Sequence, residues 1–267
     1  MDPLPPSELP ATRCRVGCAG WSLSSAVKQH FPSTGTHLER YARVFPSVEI
    51  NSSFYRPHQP GTYARWRDSV PDAFRFSVKV PKVITHELRL RDAREPLERF
   101  WGEVSHLEAK LGCLLVQLPP SLQLEPEAAR ELFGALRERT GVDIVCEPRH
   151  PTWFTEEAVH LLADLQVAFV RADPPAVRAS PPPDARTVYY RLHGSPKIYY
   201  SEYSEPYLEA LAASIAGHER AGRRVWCIFD NTAEGAAVPN ALSLLGRLQR
   251  FSSCPSAGST RGGDSSG

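Results

Sequence analysis

The chain has almost no net charge, +1 at neutral pH from 31 basic and 30 acidic side chains. No global field therefore draws it to nucleic acid or to a membrane surface. It also has no uninterrupted apolar run long enough to cross a bilayer. The opening stretch MDPLPPSELPATRCRV lacks the basic start and apolar middle of a secretory signal, so the expected compartment is the cytoplasm. None of the cysteines (Cys14, Cys18, Cys113, Cys146, Cys227 and Cys254) forms a C-x-x-C pair. They read as small buried hydrophobes in a reducing compartment, not as zinc ligands or disulfides. No repeat is evident, and no H-x-H or H-x-x-x-H pair lies on the expected strands. GCAGWS (17–22) is a poor match to the Gly-rich phosphate loop that an open doubly wound sheet would need after its first strand.

What the chain does contain is alternation. Residues 1–13 form a proline-rich lead-in and 252–267 a Ser/Gly-rich tail, both expected to be disordered, around one domain over 14–251. Eight strands are expected at 15–20, 47–51, 74–80, 113–118, 142–147, 167–172, 187–193 and 224–230. Helical spacing of apolar residues falls at 37–45, 96–111, 125–140, 155–165, 206–221 and 239–251, with a brief helix at 62–70. Alternating β and α segments imply parallel strands joined by right-handed crossovers. Eight of them in this length predict an α/β fold, a single (β/α)8 TIM barrel. The barrel is expected to be irregular, because PPAVRASPPPDA (174–185) is too proline-rich to form a helix between strands six and seven. The open doubly wound sheet is the second choice.

Five strand runs end in polar residues: SVEINSSFY (47–55), FRFSVKVP (74–81), VDIVCEPRH (142–150), TVYYRLHG (187–194) and RVWCIFDN (224–231). Strands covered on both faces should be nearly all apolar, and buried charges need partners. Charges placed repeatedly at the same end therefore point to a site. Side-chain parity separates the two faces. Val48 and Ile50 oppose Glu49 and Asn51; Phe76 and Val78 oppose Ser77 and Lys79. Ile144 and Cys146 oppose Glu147 and Arg149; Tyr190 and Leu192 oppose Tyr189, Arg191 and His193. The apolar set belongs under the helices. The polar set, joined by Gln117 and by Asp230 or Asn231, belongs in the barrel mouth.

GCAGWS (17–22), EINSSFYRP (49–57), FSVKVPKVITH (76–86), LVQLPPS (115–121), VCEPRHPTW (145–153), YRLHG (190–194) and FDNTAEGAAVPNA (229–241) together resemble the YecE-like family, domain-of-unknown-function family 72. The resemblance covers roughly residues 15–250. It implies a TIM barrel related in shape to xylose-isomerase and endonuclease IV-like barrels, and it implies no particular reaction. The positions here that match its strand-end motifs are Glu49, Asn51, Phe54, Tyr55, Lys79, Gln117, Glu147, Arg149, His150, Arg191, His193, Gly194, Asp230 and Asn231.

Each group has a chemical and a structural reading. Glu49 and Glu147 are candidate acid/base carboxylates, or partners of buried cations. His193 is a candidate proton carrier, or a histidine bonded to a nearby carbonyl. Lys79, Arg149 and Arg191 suit an anionic ligand, or neutralise the acids. Asn51, Tyr55, Gln117, Gly194, Asp230 and Asn231 would orient that ligand. Gly194–Ser195 and Gly235–Ala236–Ala237 could bind phosphate, or simply make turns. SPKIYYSEYSEP (195–206) could be an aromatic lid. Glu49, Glu147, His193 and Asp230 could hold Mn²⁺ or Mg²⁺, but three cations oppose it, so no metal or other cofactor is expected. The leading expectation is an enzyme using general acid/base chemistry on a small phosphorylated or carboxylated substrate, with hydrolase, isomerase and lyase chemistry all open. A nucleic-acid-binding or endonuclease IV-like protein and a non-catalytic ligand sensor are the alternatives.

Overall fold

Runs of β-branched, aromatic and cysteine residues form eight strands in a computed structural model that describes residues 14–178 and 185–253. They are β1 (Cys14–Cys18), β2 (Ser47–Ile50), β3 (Arg75–Lys79), β4 (Leu111–Gln117), β5 (Asp143–Glu147), β6 (Val167–Asp173), β7 (Thr187–Leu192) and β8 (Arg224–Phe229). Each of the seven neighbouring pairs in the order β1-β8-β7-β6-β5-β4-β3-β2 is parallel. The helices are α1 (His37–Ala42), α2 (Pro60–Asp68), α3 (Arg94–Val104), α4 (Pro126–Arg139), α5 (Glu156–Asp164), α6 (Glu205–Arg220) and α7 (Ala237–Ser253). Capping fixes several starts. Thr36 and Glu39 form a reciprocal capping box on α1, while Thr155 and Ser204 cap α5 and α6. The result is an α/β TIM barrel.

The ends of the sheet, β1 and β2, meet without a ladder. The buried Tyr41 hydroxyl bridges them, accepting from the Cys18 N–H at 2.8 Å and donating to the Ser47 carbonyl at 3.0 Å. Gly17 makes this approach feasible, since a Cβ there would lie 2.2 Å from the Ser47 carbonyl oxygen. No helix lies between β6 and β7 among the described residues, as the prolines predict. Residues 179–184 of that link, the 1–13 lead-in and nearly all of the 252–267 tail lie outside the described residues.

One expected helix is shorter than its periodicity. The 96–111 pattern forms α3 and then a separate 3-10 turn, Ser105–Lys110, in which Glu108 has φ 50°. Arg67 grips both the Glu108 carboxylate and the His106 carbonyl, and Lys110 donates to the carbonyls of Arg67 and Val70. These tertiary bonds turn the chain into β4 where spacing alone would continue the helix.

Side chains sort by parity as expected. Val48, Phe76, Ile144 and Leu192 pack outward under the helices, while Leu115, Val145, Val170 and Ile228 fill the barrel interior. The interior is also occupied by Tyr189 stacked on Trp226, with ring centroids 6.0 Å apart. At the N-terminal end the buried Asp143 accepts from Thr187 at 2.7 Å, from the Trp226 indole at 3.3 Å and from Arg224. That end is a sealed plug. The five described cysteines are buried, and burial raises the thiols of Cys14, Cys18, Cys113, Cys146 and Cys227.

Gly17→Ala should destabilise the protein by about 1–3 kcal/mol, because the new methyl meets backbone and cannot rotate away. Gly134→Ala in α4 meets nothing within 4 Å and should stabilise by roughly 0.5–1 kcal/mol. Urea denaturation of the two variants checks both signs.

Candidate active site

Arg191 sits near the C-terminal end of β7 with 1 % exposure, inside a ring of acids supplied by other strands. Its Nε donates to both oxygens of Glu49, at 3.2 and 3.1 Å, and its Nη2 donates to Glu49 Oε1 at 2.7 Å. Nη1 donates to Glu147 Oε2 at 3.2 Å, and Nη2 lies 3.0 Å from Asp230 Oδ2. Strands 2, 5, 7 and 8 meet here because the sheet curls into a barrel and parity turns these side chains inward. Glu49 has no exposure and is held from below by the Tyr189 hydroxyl at 2.9 Å, itself 2.9 Å from the Ser77 hydroxyl.

His193 lies one alternate position further up β7. Its Nδ1 is 3.0 Å from Asp230 Oδ2 and its Nε2 is 3.2 Å from Glu147 Oε1. Carboxylates on both nitrogens favour the doubly protonated ring. Burial alone would lower its pKa, but the bonds to Asp230 and Glu147 outweigh burial and raise it. Glu147 Oε1 also accepts from Arg149 Nη2 at 2.8 Å and Nε at 3.1 Å. Burial would push the Glu147 carboxyl up; Arg191, His193 and Arg149 overcome it and hold the group well below the usual carboxylate range. Asp230 is lowered in the same way, against its burial, by Arg191 and His193.

Lys79, at the end of β3, is different. It is 5 % exposed, and its ammonium lies 4.0 Å from the centroid of the Phe54 ring. No carboxylate forms an ion pair with it among the described residues, because the acids are already committed to Arg191, Arg149 and His193. Burial and then the field of Arg191 lower it from 10.5 to about 8. His86, edge-on to Phe54, is lowered by burial and then by the charges of Lys79 and Arg149.

The structure thus brings together Glu49, Lys79, Glu147, Arg149, Arg191, His193 and Asp230. The remaining expected residues have other surroundings. Asn231 is fully buried and donates to the Ser201 carbonyl and to Asn240, which anchors the chain after β7. Gly194 has φ +93° and donates to the Tyr203 hydroxyl; a Cβ there would lie 2.7 Å from the Ser201 carbonyl, so it serves the turn. Gln117 neighbours Glu147 in the sheet, and its amide donates to the Leu118 carbonyl. Asn51 is half-buried, and its side-chain oxygen has no partner in the structure. Tyr55 is 67 % exposed at the rim. Gly235 and the start of α7 border a separate cleft of about 590 Å³ between the β1 and β8 ends. Glu49, Glu147 and Asp230 each pair with Arg191, and among the described residues no group of three or more acidic, histidine or cysteine side chains is placed to hold a metal ion.

Two supports were not visible from strand-end chemistry. Tyr189 holds Glu49, a contact that its parity with Arg191 allows. Tyr199, with φ 71°, donates its N–H to the His193 carbonyl at 2.5 Å and sets its ring edge-on to His193, with centroids 5.8 Å apart. Its hydroxyl is a further partner of Arg149. The aromatic segment after β7 therefore covers the histidine.

These features define a (β/α)8 barrel carrying a buried network of charges at the C-terminal ends of its strands. The chain belongs to the family described as "Protein of unknown function DUF72", whose model matches residues 15–261. It is 34 % identical over 142 residues to UPF0759 protein YecE of Escherichia coli K12, a match covering 53 % of this chain and 50 % of that protein. The matched stretch thus spans half the length of YecE. UPF0759 protein YunF of Bacillus subtilis is 22 % identical over 264 residues, covering 86 % of this chain and 93 % of that one. Among solved structures, a DUF72 family protein of Thermotoga maritima aligns with TM-score 0.73 and 26 % identity, over 88 % of this chain and 99 % of that one. One from Enterococcus faecalis aligns with TM-score 0.73 and 22 % identity, over 88 % and 95 %.

Removing Arg191 strands three buried acids, so Arg191→Met should cost about 3–5 kcal/mol at pH 7. The cost should shrink in acid, where the parent loses the stability contributed by the lowered Glu147 and Asp230 carboxyls. In the parent protein the lowered carboxyls contribute stability that is lost as pH falls through their folded values. The raised His193 contributes stability below about pH 6.5 that is lost as pH rises through its folded value. His193→Gln should flatten that neutral-to-alkaline limb. Lys79→Met should stabilise by on the order of 2–3 kcal/mol at pH 7, since it removes a buried charge with no ion pair. Thermal melts of the variants across pH 2–9 (roughly the span of these groups) check all three signs.

Proposed function

We propose that the protein is an enzyme that binds a small phosphorylated or carboxylated substrate at the C-terminal mouth of the barrel and moves a proton to or from it with His193. The carrying observation is the imidazole held between Asp230 and Glu147, both paired with Arg191. A ring raised in this way is a proton donor at neutral pH and becomes a base once it has delivered its proton. Glu147, held low by its cations, is anionic across the working range and orients the ring instead of donating. Glu49 and Arg191 are buried too completely to meet a substrate, and they act as positioning residues.

Arg149 is the anchor. Its side chain keeps 23 % exposure, whereas Arg191 keeps 1 %. It holds Glu147 through Nε and Nη2, and it offers the exposed guanidinium fork of this network to an anion. Lys79 adds positive field nearby. Tyr199 and Tyr200, 41 % and 40 % exposed, sit on the segment that would fold over a bound ligand. The reading needs no cofactor, and hydrolytic, isomerising and eliminating reactions all require the proton transfer it supplies.

A thermal-shift series with phosphorylated sugars, carboxylic acids and their neutral counterparts tests this reading. Anionic members should raise the melting temperature and neutral ones should not, with a stabilisation of about 2.7 kcal/mol at one hundred times Kd. Arg149→Ala should remove the shift. An equal shift in Arg149→Ala, or a response to neutral compounds alone, contradicts the reading.

A further inference from the structure

We infer that Lys79 is an amine nucleophile, and that the substrates of this mouth carry an aldehyde or ketone carbonyl which Lys79 captures as a Schiff base. The inference rests on the acid/base reading above and narrows its substrate class. It begins from the isolation of the amine. The chain has only Lys28, Lys79, Lys82, Lys110 and Lys197 among its 31 basic residues. Lys28, Lys82 and Lys197 are exposed, Lys82 pairs with Glu87 at 3.0 Å, and Lys110 donates to two backbone carbonyls at 2.8 and 2.6 Å. Lys197 also lies over an aromatic ring, that of Tyr200 at 3.9 Å, but it is exposed; Lys79 alone is buried, at a barrel strand end, with its ammonium on an aromatic face.

That environment suits a nucleophile. A lysine paired with a carboxylate keeps its proton and its lone pair stays blocked. Here the acids within the same network are held by guanidinium groups and by His193. The Phe54 face attracts the ammonium weakly and leaves no orphaned acceptor once the proton departs. Burial and the Arg191 field already bring the amine to about 8, so a useful share is unprotonated near neutral pH.

The chemistry balances without an oxidant or reductant. The neutral amine of Lys79 adds to the carbonyl carbon, forming a C–N bond and breaking the C–O π bond. His193 delivers a proton to the oxygen and then takes one from the nitrogen, which gives a neutral carbinolamine. His193 returns that proton to the hydroxyl; the C–O bond breaks, water leaves, and the nitrogen lone pair forms the C=N bond of a protonated imine. Counted from the ammonium, one N–H proton stays on the imine nitrogen and two leave in the water molecule. The imine then withdraws electrons from the adjacent carbon, which assists proton removal or C–C cleavage there.

Borohydride trapping of the full-length protein tests this with two probes, pyruvate as an anionic carbonyl and acetaldehyde as a neutral one. Peptide mapping by mass spectrometry reads the labelled lysine. Lys79 should be labelled about ten-fold faster than each of the other lysines near neutral pH, and the advantage should shrink as pH approaches 10. Pyruvate should outpace acetaldehyde at Lys79, and Arg149→Ala should bring the two to the same rate. Labelling spread evenly over the five lysines with both probes overturns the assignment to Lys79 and leaves anion binding at Arg149 standing. Labelling of Lys79 by acetaldehyde as fast as by pyruvate supports the nucleophile and contradicts the anionic substrate. Mapping is done on the parent protein, so neither result depends on a Lys79 variant folding.

Discussion

One guanidinium holds three carboxylates inside the C-terminal end of this barrel. Arg191 meets Glu49, Glu147 and Asp230, which come from β2, from β5 and from the residue following β8. Buried acids gathered from separate strands would repel one another and resist ionisation without a central cation. With it Glu147 and Asp230 are held below the usual carboxylate range, and the remaining lone pairs of the three acids orient the Tyr189 hydroxyl, the Arg149 side chain and the His193 ring. The protonation of His193 thus follows from Arg191 through two intermediaries. Lys79 follows from it as well, since acids spent on Arg191 are not available to the amine.

The two rims of the barrel treat charge differently. At the N-terminal rim, Asp143 is closed off by Thr187, Trp226 and Arg224, a polar plug that ends the interior stack. At the C-terminal rim the network is larger and has loose ends: an amine on an aromatic ring, an arginine partly open to solvent and an aromatic segment folded over a histidine. Energetically the second arrangement is the poorer one, because it keeps a buried cation without a counter-charge. Such costs are typical of sites, where groups are arranged for reaction at the expense of stability.

Much of this was legible in the sequence because two periodicities carry it. The alternation of strand and helix patterns gave the barrel, and the two-residue parity of β2, β5 and β7 put Glu49, Glu147, Arg191 and His193 on one face. Proline density announced a link between β6 and β7 that has no helix among its described residues. What parity cannot supply is partner choice. It placed Asp230 and Asn231 equally near the mouth, whereas Asn231 is drawn away by Ser201 and Asn240. It could not show that Arg191 is consumed by acids while Arg149 stays partly exposed, because that depends on depth along the barrel axis. The Tyr41 bridge across the β1–β2 seam and the Arg67 grip that ends α3 are long-range contacts with no local signature.

The most direct test is the protonation of His193 read by ¹H–¹⁵N NMR on protein carrying ¹⁵N-labelled histidine, with His193→Gln used to assign the resonance. An imidazolium enforced by Asp230 and Glu147 should show two protonated ring nitrogens at neutral pH and titrate above the ordinary histidine value of about 6.5. A neutral ring with a single protonated nitrogen at pH 7, titrating at or below that value, would contradict the account.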